Sequence, residues 1–255
     1  MALTNKTIAS TYGDILQADN SGSGRTANGT VIKDGLGQST ALTLGQNKVA
    51  ITPSSDSTAA LTVETSGGTD LLVVDSTNSA VKAGTTQTYA NTQIQRFSVH
   101  DLQPTDGTHH SMFVDSGWAG LTSLTFGTGT DPATTFTISS AADMLTASLW
   151  YVPTAITIDE VRVIGAGDAA DTLNFHLFSY TIATGTASGA GDLSSGTLLA
   201  HNGSTLTVGA DRVTTTTLTV DSANVVADKV VLAFVENVGA TTDITAQLIV
   251  KYHYQ

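Results

Sequence analysis

Residues 39–84 consist of short segments that alternate apolar and polar residues and are separated by turn residues. Examples are ALTL at 41–44, ALTV at 60–63 and DLLVVD at 70–75. Alternation of period two predicts strands with one buried face, and the intervening Gly and Asn residues supply the positive φ that tight hairpin turns need. Each segment is too short to close a hydrophobic core by itself. The stretch therefore predicts a fibre-like ladder that needs a partner surface.

The apolar positions of this ladder are the residues that we expect to contact another subunit. The chain contains no cysteine, so disulfide bonds cannot stabilise such thin elements, and subunit association is the expected route to stability. The expected contact residues are Leu42, Leu44, Leu61, Val63, Leu72 and Val74.

The composition favours β structure along the whole chain. Charged residues make up 13% and aromatic residues 6% of the 255 positions, and Thr, Ala, Ser and Val dominate the remainder. Thr and Val suit pleated, half-buried surfaces, whereas the long helix formers are scarce. A hydrophobic content of 40% is enough for a packed core, which separates this chain from a disordered polymer.

Residues 96–255 predict a larger all-β domain. Strands without intervening helices indicate a β-sandwich, for which a jelly roll is the commonest eight-strand solution and an immunoglobulin-like sandwich the alternative. We expect the apolar runs at 230–235 and 244–250 to be buried on both faces. The candidate strands are 94–99, 111–114, 134–138, 147–152, 156–164, 173–182, 198–201, 212–220, 229–236 and 243–252.

The chain thus divides into an arm at 1–38, a short β-rich stalk with its linker at 39–95, and the domain at 96–255. The arm is either a flexible tail or an anchor that orders on a partner surface. Four apolar residues at roughly helical spacing favour the anchor: Ile8, Tyr12, Ile15 and Leu16.

The charge and the apolar pattern exclude several classes of partner. The formal net charge is −12, and no Lys or Arg occurs between Arg96 and Arg162, so phosphate neutralisation is unfavourable and we expect no nucleic-acid partner. The N-terminus lacks an apolar run typical of a secretory signal, and no apolar stretch of 18 residues occurs. We expect synthesis in a cytoplasm and no membrane insertion.

Motifs for chemistry are absent from the sequence. Gly165–Ala170 loosely matches a dinucleotide-binding fingerprint, but the alternating residues that follow predict a strand where a helix N-terminus is required. We therefore expect no catalytic, cofactor-binding or metal-binding residues and no enzymatic activity.

Histidines and one tryptophan are the candidates for a binding surface. His109 and His110 lie in a Gly-containing loop, where solvated side chains are expected, and Trp118 lies in another loop. These three residues are our candidates for contact with a glycan. His100 or His176 could instead meet its own symmetry mates on an axis of an oligomer.

Five stretches of the sequence resemble structural proteins of tailed bacteriophages, especially those of aquatic hosts. They extend over most of the chain and contain no catalytic residues: 1–12, 31–42, 71–84, 126–132 and 149–153. The resemblance implies a homotrimer whose N-terminal part attaches to the virion and whose C-terminal β-domain projects outward. In such a trimer the ladder residues would make the threefold contact.

Three functions compete on these grounds. The first is a trimeric capsid decoration, cement or head-fibre protein on the outside of the virion, with the major capsid protein as its partner. The second is a short tail fibre that contacts tail proteins and recognises a glycan on the host surface. The third is a polysaccharide depolymerase, for which no pair of carboxylates is positioned. A receptor-reaching fibre usually carries a long repetitive shaft, so the short ladder favours decoration.

Overall fold

The computed structural model describes residues 16–18, 27, 29–86, 88–114, 123–138, 147–185, 188–210, 212–239 and 242–255. Regular structure in these residues is nearly all β, which confirms the predicted all-β class. The chain forms two compact units, Met1–Ala90 and Asn91–Gln255.

The described residues of the N-terminal unit form two antiparallel sheets of four strands each, in which neighbours along the chain pair with each other. The first sheet consists of β1 (Gln17–Ala18), β2 (Thr30–Lys33), β3 (Ser39–Leu44) and β4 (Val49–Ile51). The second consists of β5 (Leu61–Glu64), β6 (Asp70–Asp75), β7 (Ala80–Ala83) and β8 (Thr88–Tyr89). The ladder segments quoted from the sequence all lie in these strands.

Turn chemistry accounts for several of these hairpins. Gly68 adopts a φ of +79° between β5 and β6, and its N–H donates to the carbonyl of Thr65 over 3.0 Å. Between β2 and β3, the carboxylate of Asp34 accepts hydrogen bonds from the N–H groups of Leu36 and Gln38. β2 pairs with β3, so strand pairing continues across residue 38, where the sequence placed the end of the arm.

Where the structure describes the C-terminal unit, eleven strands are present. Their bounds are β9 (Thr92–Leu102), β10 (His109–Ser111), β11 (Trp150–Val152), β12 (Ile156–Gly167), β13 (Asp171–Ile182), β14 (Leu193–His201), β15 (Leu206–Val208), β16 (Thr214–Val220), β17 (Asn224–Val225), β18 (Lys229–Asn237) and β19 (Ile244–Tyr254).

These strands form one curled antiparallel sheet in the order β10-β18-β13-β14-β16-β12-β19-β9. The sheet turns a corner between β14 and β16, where Ala200 pairs with Val220. Its two ends meet again where Ser98 of β9 bridges Phe113, just after β10. One half therefore carries β9, β19, β12 and β16, and the other carries β10, β18, β13 and β14. That this curled sheet is a jelly roll stays a prediction.

The main core lies between the two halves. Alternate residues of each long strand point inward and are fully buried, including Phe97 of β9, Val163 of β12, Leu177 of β13 and Leu248 of β19. Burial on one face explains the period-two pattern that the sequence shows in β12 and at the start of β13, residues 171–175.

A second cluster covers the outer face of the β18–β13 half. Phe178, Tyr180 and Phe234 are buried there beneath residues 123–138, which we call the strap. β18 is consequently buried on both faces, as predicted. The same prediction is wrong for β19, because Thr245 is exposed and the outward side chains after it are only half-buried.

Two local predictions also differ from the structure. The stretch 134–138 is not a strand, because Phe136 makes only an isolated bridge to Leu193 while the strap crosses the sheet. β15, which pairs with the start of β13, was not predicted, since three residues show too little alternation to be recognised.

Candidate functional site

The second N-terminal sheet carries an apolar face built from paired residues of three strands. Leu61 pairs with Val74, and Val63 pairs with Leu72. Directly paired residues project from the same side of a sheet, so these four side chains share one face. The pairing continues into β7, which adds two small apolar side chains. We call this surface the ladder face: Leu61, Val63, Leu72, Val74, Val81 and Ala83.

The ladder face is incompletely covered within the chain. Val63 is 49% exposed and Val81 is 44% exposed, while Leu61, Leu72 and Val74 are half-buried. A contiguous apolar surface that is left open to water is typical of an interaction site. The ladder face is therefore the strongest candidate for a contact surface in the N-terminal unit.

The first sheet carries the other two predicted contact residues on one face. Leu42 pairs with Ile51, and Leu44 pairs with Val49. Val49 is 66% exposed and Ile51 is 42% exposed. Leu42 and Leu44 are half-buried beside them. The structure thus puts all six predicted contact residues on apolar sheet faces; that they contact another subunit stays a prediction.

The opposite side of the second sheet is held by a buried carboxylate. Asp75 accepts hydrogen bonds from the backbone N–H of Asn78 at 2.9 Å and from its side-chain amide at 2.8 Å. Lys82 donates to the same carboxylate and lies over the ring of Tyr89. The bonds from Asn78 lower the pKa of Asp75 below its usual 3.8, with a smaller contribution from Lys82. These contacts fix the turn between β6 and β7 and hence the register of the ladder face.

Other predicted site residues fall outside the described part of the chain. Ile8, Tyr12 and Ile15 of the predicted anchor do so, and so does Trp118. Leu16, the last residue of the predicted anchor, is described and is 66% exposed.

The prediction that His109 and His110 are solvated loop residues is wrong. Both are buried in β10, which pairs with the end of β18 and begins two residues before the predicted strand at 111–114. The ring of His110 accepts a hydrogen bond from the N–H of Thr105 and lies 2.9 Å from Ser123 Oγ. Burial lowers the pKa of His110. Neither side chain is open to a glycan at the protein surface.

His109 instead belongs to a histidine cluster that sequence reasoning missed. His176 is only 5% exposed. The rings of His109 and His176 meet edge to face, with 4.9 Å between their centroids. His201 stacks beyond His176 at 6.4 Å. The Nδ1 atoms of His109 and His176 are buried without a hydrogen-bond partner. Burial, aided by the two neighbouring histidines, lowers the pKa of His176 to about 3.

A weak signal for this cluster exists in the sequence. His176, Phe178 and Tyr180 occupy every second position of β13, so an aromatic face lies opposite the inward Leu and Phe residues. A strand that is apolar or aromatic on both sides is expected to be buried on both faces. A histidine in line with Phe178 and Tyr180 is then expected to be buried as well. His100, by contrast, is exposed on β9, apart from this cluster.

Metal-ligand clusters and membrane-spanning helices are two further features by which a site or a location can be recognised. Across the described ranges, no three or more His, Cys, Asp or Glu side chains are arranged to hold a metal ion. In those ranges we also find no helix with the length and apolar character to cross a membrane.

Comparison with known proteins gives little further information. No protein-family model and no curated protein matches the chain. Among solved structures, a chain from the structure of infectious bursal disease virus Gx strain is similar, with 9% identity and a TM-score of 0.18 over 68% of this chain. This protein spans about 43% of the length of that chain. A similarity at this TM-score carries no argument about fold or function.

Proposed function

We propose that this protein is a non-enzymatic structural protein of a tailed-bacteriophage virion. In this proposal it forms a homotrimer that decorates or cements the outside of the capsid as a head-fibre-like protein. The observation that carries the proposal is the open ladder face, together with the resemblance of the sequence to phage structural proteins.

The contrast between the two units supports self-association through the N-terminal one. The C-terminal unit has an extensive buried core. In the described part of the N-terminal unit, buried apolar side chains are confined to Ile32 and Val73. Small sheets with so little buried apolar area are marginal alone, and burying more stabilises them by about 25 cal/mol per Å². Further copies of the same ladder face would supply that area, and closed symmetry would repeat the contact.

Attachment to the capsid is assigned to the arm that precedes β2. Its predicted anchor residues Ile8, Tyr12, Ile15 and Leu16 are apolar, and Leu16 is exposed. Cementing neighbouring capsid proteins needs buried contact area, not a catalytic group, which agrees with a chain whose sequence offers no catalytic constellation. The acidic C-terminal unit would face outward as a soluble exterior.

Two measurements test this proposal. Light scattering after size exclusion should give about three times 26.1 kDa. Antibody labelling of intact phage particles should then mark the whole icosahedral head. A monodisperse monomer of 26.1 kDa would contradict the trimer. Antibody label restricted to the tail would contradict the decoration function and favour the short tail fibre.

Deletion of residues 1–16 separates attachment from assembly. We choose this limit because a deletion up to residue 38 would remove β1 and β2, two strands of the first sheet. The truncated protein should remain trimeric and lose its binding to capsids that lack the native protein. Unchanged occupancy on those capsids would refute the anchor.

A further inference from the structure

The strap, residues 123–138, covers an aromatic surface on the outer face of the C-terminal unit. Phe126 of the strap stacks on Phe136 at 4.6 Å between ring centroids and packs on Phe234 at 4.7 Å. Phe178 and Tyr180 of β13 complete the surface. If the strap left this face, five aromatic rings of the sheet and the strap would become exposed to water.

The apolar end of the strap is held by direct hydrogen bonds. Phe136 and Leu193 exchange two backbone hydrogen bonds of 2.9 and 2.8 Å. The hydroxyl of Tyr180 donates to the carbonyl of Ala133 at 2.9 Å. Gly196 donates to Thr134 at 2.9 Å, and the approach is so close that a Cβ on Gly196 would lie 2.7 Å from Thr134 Cα. At the same end, the N–H of Ile138 donates to the carboxylate of Asp192 at 2.8 Å.

The middle of the strap lies against two histidines. Its first residues are joined to β10 by backbone hydrogen bonds, in which the N–H of Ser111 donates to Leu124 and the N–H of Phe126 donates to His109. A ring nitrogen of His109, Nε2, lies 2.9 Å from the carbonyl oxygen of Gly129. His176 Nε2 lies 3.6 Å from Asp131 Oδ1. The Nδ1 atoms of both rings have no partner and are inaccessible to water, so a proton added there would have no acceptor in the closed structure.

The charged and titratable groups that face His176 do not offset the free-energy cost of adding a proton to its buried ring. His109 on β10 and His201 on β14 are themselves titratable, and His201 Nδ1 is already 2.7 Å from Asp221. On β18, Phe234 lies directly opposite His176. Two residue pairs further along, and so on the same face, Glu236 accepts a hydrogen bond from the side-chain amide of Asn174.

Asp131, on the strap itself, is the closest counter-charge to His176. Its side chain is 54% exposed, so its attraction to a cation is screened by water. The buried surroundings of His176 therefore favour the neutral ring.

We propose that the strap is an acid-released cover, which stays closed over the aromatic surface while His176 is neutral and opens when His176 takes up a proton. The proposal is independent of the virion assignment, since it rests on contacts within the C-terminal unit alone.

The direction and size of the effect follow from proton linkage. The pKa of His176 is about 3 in the closed structure and returns toward 6.5 when the ring meets water. Opening therefore takes up a proton between these two values, so the closed state loses stability as the pH falls below about 6.5. With one such histidine, the open population should rise about 25-fold between pH 7 and pH 5.

Hydrogen–deuterium exchange of the full-length protein tests the proposal. Exchange rates, corrected for the intrinsic effect of pH, should rise about 25-fold in peptides of the strap between pH 7 and pH 5. Peptides from β12 and β19 in the main core should keep their protection. His176→Phe should abolish the pH dependence, because a phenyl ring suits the aromatic face and does not titrate. His100→Gln, which removes an exposed histidine of the same unit, should leave the dependence unchanged.

Three outcomes would overturn the proposal. The first is strap protection that is equal at both pH values. The second is loss of protection in β12 and β19 to the same extent, which is global unfolding. The third is an unchanged pH dependence in His176→Phe. If that variant does not fold, an NMR titration of the wild-type His176 ring decides the question, and a midpoint near pH 6.5 without strap opening would refute the acid-released cover.

Discussion

Lys82 reaches back over the β6–β7 turn to the carboxylate of Asp75, with 3.1 Å between its Nζ and Asp75 Oδ2. The carboxylate is fully buried, whereas the ammonium group lies on a partly exposed side chain. The ion pair, with the two hydrogen bonds from Asn78, holds the one tight turn that joins the two central strands of the second N-terminal sheet. The position of Val74 relative to Val81 on the ladder face depends on this turn.

Replacing Asp75 with Ala should therefore loosen β6 and β7. The substitution leaves the N–H and amide of Asn78 and the Nζ of Lys82 without their shared acceptor. We expect faster amide exchange in these strands than in β12 of the C-terminal unit. Asp56→Ala, which removes an exposed carboxylate of the same unit, is the control and should leave amide exchange in β6 and β7 unchanged.

The same carboxylate predicts an acid dependence of the N-terminal unit. The pKa of Asp75 is below its usual 3.8, so its stabilising effect is complete above pH 3.8 and is lost as the pH falls through the lowered value. Exchange in β6 should accelerate only at such low pH. A rise that begins near pH 6 would show that another group controls this sheet.

Val81→Lys should dissociate the proposed trimer. A lysine on the ladder face would lose its water in the subunit contact, and burying an unpaired charge costs more free energy than leaving it on the surface. Light scattering should then report 26.1 kDa instead of about three times that mass. Leu71→Lys is a matched control, because Leu71 is 43% exposed against 44% for Val81 but lies on the other side of the same sheet. Equal behaviour of the two variants would disprove the ladder-face contact.

Phe175→Ala should destabilise the C-terminal unit by about 3–5 kcal/mol, because the ring is fully buried in the main core and its removal leaves a cavity. Urea unfolding followed by the fluorescence of Trp150 is suitable, since that ring packs against the same core. Val213→Ala, at a residue 72% exposed, should change the free energy of unfolding by less than about 0.5 kcal/mol. A loss below about 1 kcal/mol for Phe175→Ala would contradict the core assignment.

Gly196→Ala should lift the strap at every pH. Its new methyl group would meet Thr134 Cα and Tyr180 Cε1, each at 2.7 Å, and overpacking of this kind costs about 1–3 kcal/mol. Strap peptides should exchange faster at pH 7 as well as at pH 5. Gly203→Ala has its closest neighbour at 3.8 Å and should leave the strap protected. Unchanged strap exchange in Gly196→Ala would show that the strap does not need this close approach.

Much of the strand pattern was predictable because one-sided burial leaves a period of two in the sequence. β12 and the start of β13 were recognised on that basis, and their inward residues are those of the main core. β18 was recognised as buried on both faces, since Val230 to Val235 form an unbroken apolar run. β19 has a similar composition, yet its outer face is open, because the strap covers only the other half of the sheet.

The histidine positions show where local pattern stops being informative. His109 and His110 follow Gly107 and look like loop residues, but pairing with β18 makes them a strand. His176 and His201 are 25 residues apart in the chain, and only the β13–β14 pairing brings them opposite each other. No short window of sequence contains that information.

The sequence by itself determined the all-β class and the apolar residues of each strand, because these depend on alternation and turn residues that are local. The tertiary structure decided which of those apolar faces are covered. The face of β13 and β18 lies beneath the strap, whereas the ladder face remains open. Coverage depends on which distant segments pack on each face, and this is set by the whole sheet and its connections. The stretch at 39–84 that could not close its own core is thus defined in the structure by an open apolar face.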